Sequence, residues 1–176
     1  MSSAKGKIDP QGVARAILTK MGIHRSAVPV EDIARKLEIM VRFVPLDPAL
    51  SGMIFKKTVA CIVVNSLHHP NRQRFTLGHE IGHFVLHMQD IGSEVHVDKK
   101  FLAFTRDAKS SEGWDRREIE ANRFAAELLV PCAILERDLR GRLVDVEDDA
   151  LVAELAKKFQ VSRQMMTFRL AGYAHL

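Results

Sequence analysis

Read along the chain, the apolar positions change their spacing several times, and each change marks an element. Pro10 to Met21 and Pro29 to Leu37 read as helices, with Ala14, Ile17, Leu18, Ile33, Ala34 and Leu37 as apolar faces, a helical lid or support. Ile39 to Val44 alternates as a strand does. Gly52 to Phe55 with Val59 to Asn65 predicts a hairpin whose second arm is nearly all apolar. A small, mostly antiparallel sheet therefore precedes the first long helix.

That helix runs from Phe75 to Met88. Leu77, Ile81, Phe84, Val85 and Met88 fall on one stripe, while Thr76, His79, Glu80, His83 and His87 gather on roughly the opposite face. Few positions are left for a solvent face, so the helix belongs in an interior with its polar side lining a cleft. Gly82, between the two faces, lets another backbone approach closely.

From Gln89 to Asp115 the pattern breaks down into polar, Gly-containing sequence with scattered Phe101, Phe104 and Trp114. It reads as a long connection, a candidate mobile loop over the cleft, in which a strand such as Glu94 to Val97 can hide. Helical spacing resumes from Arg116 to Pro131, where Ala121, Ala125, Leu128 and Leu129 form the stripe. Glu118 and Asn122 lie on its edge. Glu120 points away with Arg123 and Glu127 and reads as a solvated charge.

After Pro131 a short helix reaches about Arg140, followed by Asp148 to Phe159 and Ser162 to Tyr173. This pair has the cadence of a helix-turn-helix with Ser162 as N-cap. The favoured reading is two packed helices closing the domain, because the second is Met-rich rather than densely basic; DNA contact or repressor docking is the alternative. The chain divides into residues 1–140 and a C-terminal helical subdomain, 141–176, packed on them.

The chemistry sits in His79-Glu80-Ile81-Gly82-His83. Histidines four apart on a helix lie about 40° from each other, so both reach one tetrahedral cation. Glu80, about 100° round from His79, is placed to take a proton from water rather than to join the chelate. With 8 His among 176 residues, the pattern would arise about 0.02 times in a shuffled chain, so it is treated as a site. A catalytic zinc usually takes its third protein ligand from farther along the chain, and the inward carboxylate is Glu118. Asn122, one turn later, can orient a ligand by hydrogen bonding. The fold class is thus α+β: a small, mostly antiparallel sheet against an HExxH helix, with helical N- and C-terminal parts.

Composition changes this picture little. With 47% hydrophobic residues, 176 residues suffice for one main core. No apolar run is long enough to span a membrane and no secretory pattern opens the chain, so a cytoplasmic protein is expected. Cys61 and Cys132 lie in apolar runs without metal spacing and read as buried free thiols. A net charge of +4, dispersed among acids, assigns no partner.

Two runs carry a resemblance. Asn71-Arg72-Gln73-Arg74-Phe75-Thr76-Leu77-Gly78 before the HExxH motif, and Glu118-x-Glu-Ala-Asn-x-Phe-Ala-Ala-Glu-Leu-Leu-x-Pro131, resemble the ImmA/IrrE family of zinc-dependent endopeptidases. Val30 to Ala34, Val161-Ser162 and Arg169-Leu170 are similar more weakly. The resemblance implies Zn²⁺ held by His79, His83 and Glu118 in a gluzincin-like arrangement, with Glu80 catalytic. It also implies a protein substrate, a helix-turn-helix (XRE-type) repressor whose cleavage derepresses stress-response or mobile-element genes. No counterpart is expected of the sensory domain that some longer members append.

The donor for a tetrahedral oxyanion stays open among Tyr173, His87, His96 and Arg123, the last disfavoured because the wheel turns it outward. HExxH peptidases hold substrate as an added strand along a sheet edge, and the strands before the metal helix are the candidates for that role or for pure scaffolding. A non-enzymatic DNA- or repressor-binding module using the C-terminal helices is the rival reading. A degenerate peptidase whose metal only stabilises a surface is the other.

Overall fold

The computed structural model describes residues 8–56, 58–91, 96–98, 112–142 and 144–173. Among the described residues seven helices and four strands follow in the order α1 (Pro10–Lys20), α2 (Val30–Lys36), β1 (Met40–Val44), β2 (Gly52–Lys56), β3 (Ala60–Asn65), α3 (Pro70–Ile91), β4 (His96–Asp98), α4 (Glu112–Leu129), α5 (Cys132–Leu139), α6 (Asp149–Phe159) and α7 (Arg163–Tyr173).

The strands form one sheet in the order β1-β3-β2-β4. β2 and β3 make the expected hairpin, Gly52 opposite Val64, and β4 adds antiparallel to β2, Gly52 opposite Asp98. β1 pairs with β3 in parallel, Met40 opposite Cys61, so the sheet is antiparallel at two of its three seams. β3 is apolar at both parities because it is central. β1, an edge strand, leaves Met40 and Phe43 exposed.

α3 starts earlier than its apolar stripe suggests. Pro70 occupies the first turn, where its missing N–H costs nothing, and the His69 ring accepts from the Asn71 N–H at 3.2 Å. The motif residues that follow stitch this turn to its surroundings. Asn71 Nδ2 donates to the Val161 carbonyl (2.8 Å), Arg72 to Ser51 Oγ (2.9 Å), and Gln73 Nε2 to the His68 carbonyl (2.6 Å). Arg74 donates to the carbonyls of Val28 (2.9 Å) and Gln160 (3.2 Å). Both Val161 and Gln160 belong to the turn between α6 and α7, where Gln160 adopts the left-handed conformation and Ser162 Oγ accepts from the Met165 N–H at 3.1 Å.

α4 packs along α3 on one side and α1 on the other. Its Ala121, Phe124, Ala125, Leu128 and Leu129 are buried, continuous with a core that runs through Ile33, Ile54, Ile62, Ile81, Leu135, Leu155 and Phe159. At Gly82 an added Cβ would stand 3.2 Å from both Cα and the carbonyl oxygen of Ala121 and 3.1 Å from Phe124 Cδ1. The close backbone approach expected there is present.

Several expectations need correction. Residues 89–91 and 112–115, read as part of a long connection, extend α3 and α4, while the strand that could hide at Glu94 to Val97 is present between them as β4. Polar, Gly-containing sequence carried no period to show it. Residues 92–95 and 99–111, with Phe101, Phe104 and the supposed cleft loop, lie outside the described residues. Cys61 is buried, but Cys132, the first residue of α5, is only half-buried, with its Sγ 3.2 Å from Arg169 Nη2. Among the described residues no helix is long and apolar enough to cross a membrane.

Candidate metal centre

The polar face of α3 is buried as deeply as its apolar one: Thr76, His79, Glu80, His83 and His87 are all at most 3% exposed. A helix covered on every side, with its polar groups on one stripe, must satisfy them among themselves and against its neighbours. Two neighbours cover that face, α4 and β2.

From α4, Glu118 reaches the two imidazoles of the HExxH pair. Its Oε2 lies 3.2 Å from His79 Nε2 and its Oε1 3.2 Å from His83 Nε2, while the two Nε2 atoms are 3.0 Å apart. Asn122, one turn on, places Oδ1 2.9 Å from His79 Nδ1. An amide oxygen only accepts, so Nδ1 of His79 carries the proton and donates, and its Nε2 presents a lone pair to the cluster. His79, His83 and Glu118 together offer ligand atoms within 4.8 Å of one another.

This donor set fits a tetrahedral cation. Bond lengths of about 2.0–2.1 Å to zinc put ligand atoms about 3.3 Å apart, close to the spacings found here. Two imidazoles and a carboxylate form the set used in hydrolytic zinc sites, which leave a position open. Glu118 remains 26% exposed, so the cluster opens toward solvent on the α4 side.

From the sheet, β2 passes directly over α3. A Cβ at Gly52 would lie 2.5 Å from Thr76 Cγ2, 2.8 Å from the Val63 carbonyl oxygen and 3.8 Å from Glu80 Oε1. Only glycine allows the strand to come down onto the helix beside the buried carboxylate of Glu80. Gly52 escaped the sequence reading; a glycine opening an otherwise apolar strand was its one signal.

Two carboxylates turned outward by the wheel are buried. Glu120 is 9% exposed, accepts from Arg116 Nε at 2.9 Å, and has Oε2 3.7 Å from His87 Nε2. Glu127 is fully buried, ion-paired with Arg169 of α7, and accepts from the Cys132 N–H at 3.2 Å. A wheel grants a helix one inward face, whereas α4 is flanked by α3, α1, α5 and α7, so positions beside the stripe are covered as well. Arg123 is exposed, as its wheel position requires.

His87 lies one turn beyond His83, ring centroids 5.6 Å apart. Burial pushes its pKa below the ordinary histidine value, partly countered by the Glu120 charge and a hydrogen bond with the Arg117 backbone. Of the other oxyanion candidates, Tyr173 packs half-buried against the core, and the His96 side chain lies outside the described residues.

A helix presenting HExxH to a sheet, completed by a glutamate from a second helix, defines the class: a metallopeptidase-type fold. Over residues 34–171 the chain matches the IrrE N-terminal-like domain, Peptidase M78, and it belongs to that family of metallopeptidase-type regulators. Among solved structures it is similar to a Mycobacterium tuberculosis transcriptional regulator, with a TM-score of 0.62 and 18% identity, over 90% of this chain and 44% of that one. The chain thus spans less than half of that protein's length. No curated protein matches it.

Proposed function

We propose that this protein is a zinc-dependent endopeptidase that cuts a peptide bond in a helix-turn-helix transcriptional repressor of XRE type and so derepresses stress-response or mobile-element genes. The observation that carries the proposal is the convergence of His79 Nε2, His83 Nε2 and the Glu118 carboxylate within 3.2 Å, beside a fully buried Glu80. His79, His83 and Glu118 are the metal ligands in this reading, Glu80 the catalytic base, and Asn122 the residue that sets the tautomer of His79.

Bound zinc supplies a Lewis acid that polarises a carbonyl and brings the pKa of water toward about 7. The chain's own residues do the rest. Glu80 accepts the proton of the attacking water at its carboxylate and returns it to the leaving amine, so the amide is hydrolysed without a covalent enzyme intermediate. Asn122 holds the His79 ring so that Nε2 faces inward. An extended peptide pairs along the sheet edge that, among the described residues, β4 forms next to β2, whose Gly52 overlies Glu80.

Membership of a family of metallopeptidase-type regulators, and likeness to a Mycobacterium tuberculosis transcriptional regulator, support a target in gene control. Such a target places the enzyme in the cytoplasm. Residues 1–140 then form the peptidase unit and 141–176 a helical subdomain seated on it. Zinc-loaded protein incubated with the repressor encoded nearest to it should release a defined fragment, and Glu80→Gln should cut it about 10²–10⁴-fold more slowly while keeping its metal. A repressor left intact, with DNA binding that survives both Glu80→Gln and chelation, would replace this proposal with a binding module.

A further inference from the structure

Glu118 raises a positional problem. It is partly exposed, so burial does not fix it, yet its two oxygens each stand 3.2 Å from a different imidazole. Holding that geometry requires α4 to keep both its distance from α3 and its rotation about its own axis. The contacts of Gly78 and Gly82 with Ala121, Phe124, Ala125 and Leu129 fix distance and rotation along the later turns of α4, but Glu118 lies before them and needs its own turn held.

The groups on either side of Glu118 supply what is missing. His87, buried one turn beyond the second ligand, has its Nε2 3.7 Å from Glu120 Oε2 on α4. Glu120 is held from its other side by Arg116 at 2.9 Å. Glu118 and Glu120 are two residues apart, about 200° round the helix, so α3 is gripped by carboxylates from both flanks of α4. A helix engaged on two flanks cannot roll. Burying a carboxylate and an imidazole here, where apolar side chains would pack more cheaply, suits a contact whose value is geometric definition.

Resting on the metal reading above, we propose that His87 and Glu120 are positioning residues that lock the rotation of α4 at the turn of Glu118 and thereby hold Glu118 in register with His79 and His83. They act through Glu118 and touch no reacting atom.

The test is zinc affinity of the full chain by chelator competition, with the absorption of the Co²⁺-substituted protein as a probe of ligand geometry. His87→Gln and Glu120→Gln should each weaken zinc binding about 10–100-fold and alter the Co²⁺ spectrum, while far-UV circular dichroism of the metal-free protein stays as in the wild type. The double variant should bind no more weakly than the worse single one, because both act through one contact. Arg116→Gln, at an exposed position, keeps the test available if a buried variant fails to fold, and should show a smaller loss in the same direction. Variants that bind zinc like a zinc-binding wild type, or single losses that multiply in the double variant, would overturn the clamp alone. A wild type that takes up no zinc would overturn the metal reading and the clamp with it.

Discussion

Two glycines one turn apart on α3 should respond to the same substitution with opposite sign. At Gly78 an added Cβ would find its nearest atoms, Ala125 Cβ and Leu129 Cδ1 and Cγ, all at 3.7 Å, an ordinary contact distance. Gly78→Ala therefore gains the helix propensity of alanine, about 1 kcal/mol, with no clash. At Gly82 the new methyl would meet Ala121 Cα and O at 3.2 Å and Phe124 Cδ1 at 3.1 Å. Two of those atoms are backbone of a buried helix, which yields only if α4 moves as a body. Overpacking costs about 1–3 kcal/mol, and a backbone obstacle places this site in the upper part of that range, about 2–3 kcal/mol, which outweighs the propensity gain and leaves a net loss of about 1–2 kcal/mol. The two variants should thus differ by about 2–3 kcal/mol, or roughly 5–10 °C in Tm at this chain length. Urea unfolding of the metal-free proteins, with equal slopes, is the assay. If Gly82→Ala proves as stable as Gly78→Ala, the tight α3–α4 crossing is wrong, and with it the geometry that brings Glu118 to the histidines.

Other expectations follow from single side chains. Asn122→Ala removes the acceptor that sets the His79 tautomer and should weaken zinc binding about 10–100-fold without unfolding the protein; an unchanged Kd in chelator competition would refute the role. The Asp138 carboxyl is raised by burial but lowered more by hydrogen bonds from Ser26, Lys158 and Arg137, so its pKa lies below the ordinary aspartate value. Its contribution is present above about pH 3.9 and disappears as the pH falls through the lower folded-state value. Asp138→Asn should therefore cost about 1–2 kcal/mol at pH 7, allowing for the half-exposed Lys158 and Arg137, and the gap to wild type should close in acid. Melting curves at the two pH values decide it.

The parts of this molecule that sequence periodicity exposes are those where one helix face is all that matters. His79, Glu80 and His83 declare themselves by spacing, and Glu118 by its place beside the stripe of Ala121 and Ala125. The hairpin was legible because β3 is central and apolar throughout. The burial of Glu120 and Glu127 was not, since their partners His87 and Arg169 lie 33 and 42 residues away and only the packing of α4 among other helices brings them together. Gly52 was hidden for a related reason: its meaning depends on Thr76 and Glu80 of another element. The parallel pairing of β1 is likewise a decision of the sheet as a whole rather than of any local run of residues, whereas the strand allowed for at Glu94 to Val97 is present one to two residues later, at His96–Asp98.

The first turn of α3 has a practical bearing on any attempt to shorten the protein. Asn71 and Arg74 end on main-chain oxygens at Val161 and Gln160, and Glu127 is neutralised by Arg169. A gene truncated after codon 140 would strip all three of these contacts at once, leaving the buried Glu127 carboxylate, among the described residues, only the more distant Arg15 as a cation, at 3.8 Å. The final helices therefore cannot be treated as a detachable tag: expression of the first 140 residues alone should yield insoluble material.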